Sequence, residues 1–212
     1  MSNGALGRRY DDGDDGAGRR GRDRRGSRLS RLPGRPARLA LDLLAWAPMI
    51  GGRYETLSRA TRFLAEIDPG SSASHRADYA RARYLGNCLG EIDRFLSLLL
   101  DAVGDVSPSL QRQRNTARKI GLVAPDRIDL AADQRRLRAL GRTRACLSYC
   151  RGRVCRPDDA AAQWMTAGWT DSHAPTLRRY AMGDRLHPST SDLACVGAFY
   201  QGLADTLVAA VR

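Results

Sequence analysis

The apolar pattern of this chain of 212 residues predicts an all-α protein, a four-helix bundle with a long loop before its last helix and a disordered N-terminal tail. Three observations carry that expectation. Apolar residues recur every three or four positions through four long stretches, the spacing that gathers them on one face of a helix. Residues 1–36 hold almost no apolar side chains, so burial has little to set against the entropy of ordering them. Between 152 and 188, Gly152, Pro157, Gly168, Pro175, Gly183 and Pro188 interrupt any helical run. A structureless loop of that length is unusual in a compact domain, so a β-hairpin or short strands are expected inside it.

Taken in order, the tail of residues 1–36 is followed by a short apolar docking helix within 37–50, LALDLLAWAPMI, which Pro48 and Gly51-Gly52 are expected to end. It is shorter than the roughly 20 residues that span a bilayer. Arginines precede it and Ala45-x-Ala47 closes it, as in a signal peptide, but Asp42 breaks its apolar run. The bundle domain, 53–212, opens with Tyr54, Leu57, Thr61 and Leu64 on one stripe and pauses at Asp68-Pro69-Gly70. The second helix, 75–103, has the broadest apolar face, from Leu85 and Leu89 through Ile92, Phe95 and Leu96 to Leu99 and Val103. Pro108 then begins a polar stretch holding a short helix and the basic residues Arg112, Arg114, Arg118 and Lys119, with 120–128 as a connector. The third long helix runs from Leu130 to Arg151 and carries Leu137, Leu140 and Leu147 on one side. In the long loop, Trp164, Met165, Trp169 and Tyr180 are expected to cover the end of the bundle. Ser189 with Asp192 three residues on has the spacing of a capping box and starts the last helix, whose stripe includes Leu193, Val196, Tyr200, Leu203 and Leu207.

The formal charge is +12, and Lys119 is the sole lysine among the basic residues. The codons of a GC-rich genome favour arginine. A guanidinium also binds phosphate oxygens in a fork, so the excess suits polyanion contact as well. In the tail, Arg19, Arg20, Arg22, Arg24, Arg25, Arg28 and Arg31 are the candidate nucleic-acid contacts. Trp164 and Trp169 either stack on bases or anchor the loop. Five cysteines at irregular spacing make no disulfide framework. Cys146, Cys150 and Cys155, with His173 or His187, can be written as a zinc set, although their spacings lack the usual two close pairs. There is no phosphate-binding glycine loop, no nucleophile elbow and no dinucleotide fingerprint.

Arg144 falls on the same side of its helix as the three leucines, where an unpaired charge is costly. Its expected partner is Glu91, set in the wide apolar arc of the second helix among Tyr84, Phe95 and Leu98. The remaining reading is that both reach solvent at the bundle edge.

Three stretches together resemble HEPN domains, the compact helical bundles of bacterial defence and toxin–antitoxin systems. ARARYLGNCLGEIDRFLSLLL (80–100) is similar to their second helix, RRLRALGRTRACLSYCRGRV (135–154) to the helix bearing their Arg-x4–6-His motif, and SDLACVGAFYQGLADTLVAAV (191–211) to their closing helix. The resemblance covers residues 53–212 and implies an RNA-associated bundle. It aligns Arg144 with the motif arginine, but Ala145 replaces the polar residue that commonly follows it, and Tyr149, Cys150 and Arg151 fill the histidine window. A tyrosine hydroxyl, with a pKa of about 10, is a poor substitute for imidazole in proton transfer near neutral pH. The expectation is therefore a non-catalytic relative, with Arg144, Tyr149 and Glu91 as its candidate catalytic positions. The alternatives are a basic DNA-binding or regulatory protein using the tail and the 112–119 stretch, and an interaction protein with no nucleic-acid role. RNA or another polyanion, and a protein partner or second copy of the chain, are the expected partners. No cofactor, no membrane and a cytoplasmic location are expected.

Overall fold

The structure is a computed structural model and describes residues 35–69, 75–104, 108–126, 129–171 and 174–211. The tail arginines and His173 lie outside the described residues. Among the described residues six helices and one two-stranded antiparallel sheet follow in the order α1 (Arg35–Glu66), α2 (His75–Val103), α3 (Pro108–Arg112), α4 (Thr116–Val123), α5 (Leu130–Tyr149), β1 (Trp164–Asp171), β2 (Ala174–Ala181) and α6 (Thr190–Ala209). Among the described residues no helix is long and apolar enough to cross a membrane. One core collects Leu57 and Leu64 of α1, Leu85, Leu89, Leu96 and Leu99 of α2, Leu137, Leu140 and Leu147 of α5, and Val196, Tyr200 and Leu203 of α6.

The first helix corrects the expected boundary. Pro48, Gly51 and Gly52 do not end it; α1 continues through all three to Glu66. A proline removes one helical hydrogen bond and a glycine costs about 1 kcal/mol against alanine. Tertiary anchoring offsets those losses: Ile50, Leu57 and Leu64 are buried, and Arg53 donates to the Leu98 carbonyl oxygen at 2.8 Å. On the far side, Tyr54 donates to Asp205 at 2.7 Å, which ties α1 to α6.

Helices α2 and α5 pack against each other and pass very close. A Cβ on Gly86 would stand 2.3 Å from the Ser148 hydroxyl oxygen and 2.9 Å from the Ser148 amide nitrogen, and one on Gly90 would touch the Arg144 side chain at 3.4 Å. The pairing of 86 with 148 and of 90 with 144 makes the two helices antiparallel. Helix α4 packs on both. Its N-cap is Asn115, whose side-chain oxygen accepts from the Arg118 amide at 3.1 Å.

The expected hairpin is present as β1 and β2, with the register broken between Thr166 and Thr170. Met165, Ala167 and Trp169 alternate inward and are fully buried, the period-two pattern of a strand with one covered face. The Trp169 indole N–H donates to the Tyr180 hydroxyl at 3.2 Å, so this tryptophan anchors the loop and does not stack on a base. Arg136 of α5 fixes the hairpin from below, donating to the Gly168 and Cys195 carbonyl oxygens and lying 4.4 Å from the Phe199 ring centre. Helix α6 starts at the expected capping box. The Asp192 amide donates to the Ser189 hydroxyl at 3.1 Å, and the Ser189 amide donates to the Asp192 carboxylate at 2.9 Å.

Two further expectations are corrected. Cys150 and Cys155 form a disulfide, because the chain reverses at Arg151 and Gly152, both with positive φ, and returns Cys155 to the end of α5. Irregular spacing concealed a local bridge. Lys119, expected in a surface basic stretch, is buried and ion-paired with Asp101 at 2.7 Å, and it donates to the Ser97 hydroxyl at 2.9 Å.

Candidate functional site

The feature best suited to bind a ligand is an arginine-lined cleft in two lobes. Its origin is the stripe Arg135, Arg138 and Arg142 on the outer face of α5. Spacings of three and four place these side chains one above another, opposite the buried face of Leu137, Leu140 and Leu147.

The first lobe has a cavity of about 470 Å³. Arg138, Arg142 and Arg144 of α5 line it together with Arg114, Arg156, Asp93 of α2, and Asn115 and Thr116 at the start of α4. The first turn of α4 thus faces the same space, and its amide ends carry partial positive charge. The second lobe shares Arg138 and Arg142 and adds Arg135, Arg179, Asp158, Thr166 and Thr176 beneath the hairpin. Seven arginines therefore face two aspartates across the two lobes.

Both aspartates already have arginine partners. Arg144 donates to Asp93 at 3.3 Å, and Arg142 pairs with Asp158 at 2.7 Å. Burial pushes the Asp93 carboxyl above its ordinary pKa, and the nearby Arg144 charge with the hydrogen bond from Tyr200 only partly opposes this. The Tyr200 hydroxyl, fully buried beside Asp93, is held well above the ordinary tyrosine value by burial and by that carboxylate. Asp158 moves the other way. Desolvation raises it, but the Thr166 hydroxyl and amide, at 2.5 and 2.9 Å, together with Arg142, bring it below the ordinary value. Arg114, Arg135, Arg138 and Arg156 pair with no carboxylate among the described residues, and Arg142 Nε is buried without a hydrogen-bond partner there. Unused guanidinium donors on a concave surface are what an oxyanion requires.

The expected site residues fare differently. Arg144 lies in the seam between α2 and α5, with its side chain 40 % exposed toward the cleft. Its partner is Asp93, not Glu91. Glu91 turns outward and pairs with Arg94 at 2.8 Å. The reason is helical phase. The buried stripe of α2 is Leu85, Leu89, Ile92, Leu96 and Leu99, and Asp93 lies four residues after Leu89 and three before Leu96. Tyr84 is exposed and Phe95 and Leu98 only half-buried, so the arc around Glu91 is the edge of the true face. Tyr149 is 85 % exposed and lines neither lobe. His187 is exposed beside a separate small cavity of about 60 Å³ with Asp78, Arg81 and Arg185. Cys146, Cys150 and Cys155 do converge, but in a disulfide with a third sulfur beside it. Trp164 is 44 % exposed and has Arg179 over its ring at 5.6 Å.

The spacing 135–138–142 is a readable signal, overshadowed by the leucine face of the same helix. Arg114, Arg156, Arg179 and Asp158 come from separate loops and strands, and no local pattern joins them. No family model, no curated protein and no solved structure matches this chain. The HEPN resemblance thus draws no support from known proteins, and the geometry alone carries a functional reading.

Proposed function

We propose that this protein binds the phosphate backbone of single-stranded RNA in the two-lobed cleft and does not cleave it. The observation that carries the reading is the set Arg114, Arg135, Arg138 and Arg156, which pair with no carboxylate among the described residues, around a concave surface that also takes in the first turn of α4. Guanidinium forks bind phosphate oxygens directly. The exposed Trp164 lies against Arg179, which lines the second lobe, and unstacked bases of a single strand can use its ring where a duplex cannot. Binding without cleavage is supported by the neighbours of Arg144 among the described residues, which are Asp93, pushed by burial toward its neutral form, and a tyrosine whose proton is held tightly. A helical-bundle relation to HEPN domains remains part of this reading only through the three stretches that suggested it. The DNA-binding alternative loses one of its basic residues, because Lys119 is buried.

The test compares a short single-stranded RNA with duplex DNA by fluorescence anisotropy at several salt concentrations, using the full chain. Arg138→Glu with Arg156→Glu should weaken RNA binding by at least tenfold and reduce the salt slope by about 1.4, roughly 0.7 for each single-strand phosphate that is no longer neutralised. Equal affinity in the variant would remove the cleft from consideration. Tighter binding of the duplex would favour the DNA reading.

A further inference from the structure

Three of the five cysteines meet at the C-terminal end of α5. Cys150 and Cys155 are bridged. Cys146, fully buried one turn earlier, keeps a free thiol whose sulfur stands 3.8 Å from Cys155 Sγ and 3.7 Å from Met165 Sδ. Backbone hydrogen bonds hold this arrangement from both sides. The Cys146 carbonyl oxygen accepts from the amides of Cys150 at 3.1 Å and Gly152 at 3.0 Å, while the Val154 amide donates to Asp184 at 2.8 Å and the Leu186 amide to Gly152 at 2.8 Å. Cys155 is therefore fixed between two candidate partners, one at the surface and one in the core.

We propose that Cys146, Cys150 and Cys155 form a thiol–disulfide exchange centre that accepts a low-molecular-weight disulfide at Cys150. In the internal step the Cys146 sulfur attacks Cys155 Sγ and its thiol proton passes to the departing Cys150 sulfur. The Cys146–Cys155 bond forms, the Cys150–Cys155 bond breaks, and Cys150 leaves with the electron pair and that proton, as a half-exposed thiol that gives the proton up to water. One disulfide is exchanged for another, so no oxidant or reductant is consumed. In the second step the Cys150 thiolate attacks an external disulfide of the glutathione class, forming a mixed disulfide and releasing one equivalent of the small thiolate. Exchange of this kind proceeds by thiolate attack on a disulfide sulfur and is limited by access. Contact at 3.8 Å supplies that access internally, and holding the reactants together replaces a bimolecular encounter. Cys150 is half-exposed, and Arg151 and Arg153 beside it are exposed cations that suit the carboxylates of such a small thiol. The proposal does not depend on RNA binding in the cleft.

The test uses the full chain incubated with oxidised glutathione, quenched by alkylation and mapped by tandem mass spectrometry. The expected product has Cys146 bridged to Cys155 and glutathione on Cys150. In Cys150→Ser, Cys146 and Cys155 should bridge to each other. In Cys146→Ala and Cys146→Ser, the Cys150–Cys155 bridge should persist and no glutathione should be taken up at Cys150, whatever the free Cys88 and Cys195 do; two variants are used because residue 146 is in the core. Glutathione on Cys150 in both Cys146 variants at the wild-type level would overturn the exchange. So would free, alkylated Cys146 and Cys155 in Cys150→Ser, or wild-type protein that shows only the Cys150–Cys155 bridge.

Discussion

Two aspartates line one cleft and are shifted in opposite directions, which makes pH a probe of the site. The folded protein holds the Asp93 proton more tightly than the unfolded chain, because burial raises its pKa above the ordinary 3.8. The native state then binds more protons in that window, and stability falls as pH rises from the ordinary value through the raised one. Asp158 has its pKa lowered. Its contribution is present above the ordinary value and is lost as pH falls through the lowered one. Melting temperatures from acid to neutral pH should show this contrast. Relative to wild type, Asp93→Asn should gain stability as pH rises through the range above 3.8, and Asp158→Asn should lose it as pH rises through the range below. Parallel trends for the two variants would contradict the described environments. Lys119 presents a different case. It is the sole lysine in the sequence, and its side chain is 3 % exposed against Asp101. Removing one member of a fully buried ion pair costs about 3–5 kcal/mol. Asp101 is one-third exposed and water recovers part of its charge, so Lys119→Ala should cost about 2 kcal/mol, measurable by urea unfolding. A change near zero would mean that the charge reaches solvent.

Local rules read some elements well and others poorly, and the difference follows from where each element finds its energy. The capping box at Ser189 and the hairpin between 152 and 188 are legible because turn and cap chemistry is local. The seam between α2 and α5 is half legible: the leucines place the helices, but a broad apolar arc leaves their phase uncertain by one stripe, and Glu91 looks like the partner where Asp93 is. The end of α1 is misleading because Pro48 and the two glycines are local signals, and the buried residues that override them are tertiary. Glycines provide a test of both seams. Gly51 is helical and a Cβ there meets nothing within 4 Å, so Gly51→Ala should stabilise the protein by about 0.5–1 kcal/mol. Gly86 is helical too, but its added Cβ would collide with the Ser148 backbone amide at 2.9 Å. Gly86→Ala should therefore destabilise by about 1–3 kcal/mol through forced separation of the helices, despite the better helix former. Thermal unfolding of the two variants decides the matter. Destabilisation by Gly51→Ala would mean that α1 ends where the sequence suggests, and a stabilising Gly86→Ala would remove the close approach of α2 to α5.

At the scale of the whole molecule, the charge has two addresses, and composition alone does not separate them. Residues 1–36 hold ten arginines against five aspartates. The cleft adds seven arginines against two aspartates, drawn from α5, β2, the link before α4 and the segment after Cys155. A genome rich in arginine codons makes both dense in the same residue, so the sequence displays the tail as a run and hides the cleft as scattered positions. Their contributions to binding should differ in kind. A charged segment with few apolar residues neutralises phosphates without regard to strand type, and each neutralised phosphate steepens the salt dependence. A concave surface with fixed guanidinium spacing and a tryptophan against one of its arginines can discriminate between a single strand and a duplex. Removing residues 1–34 should therefore flatten the salt slope for RNA and for duplex DNA alike while leaving the ratio of their affinities unchanged. In the full chain, Arg138→Glu with Arg156→Glu should collapse that ratio and leave most of the nonspecific slope. Anisotropy titrations of both proteins over a range of salt concentrations provide the comparison. If deleting the tail abolished the preference for RNA, selectivity would reside in the tail, and the cleft would serve only as a secondary anion surface.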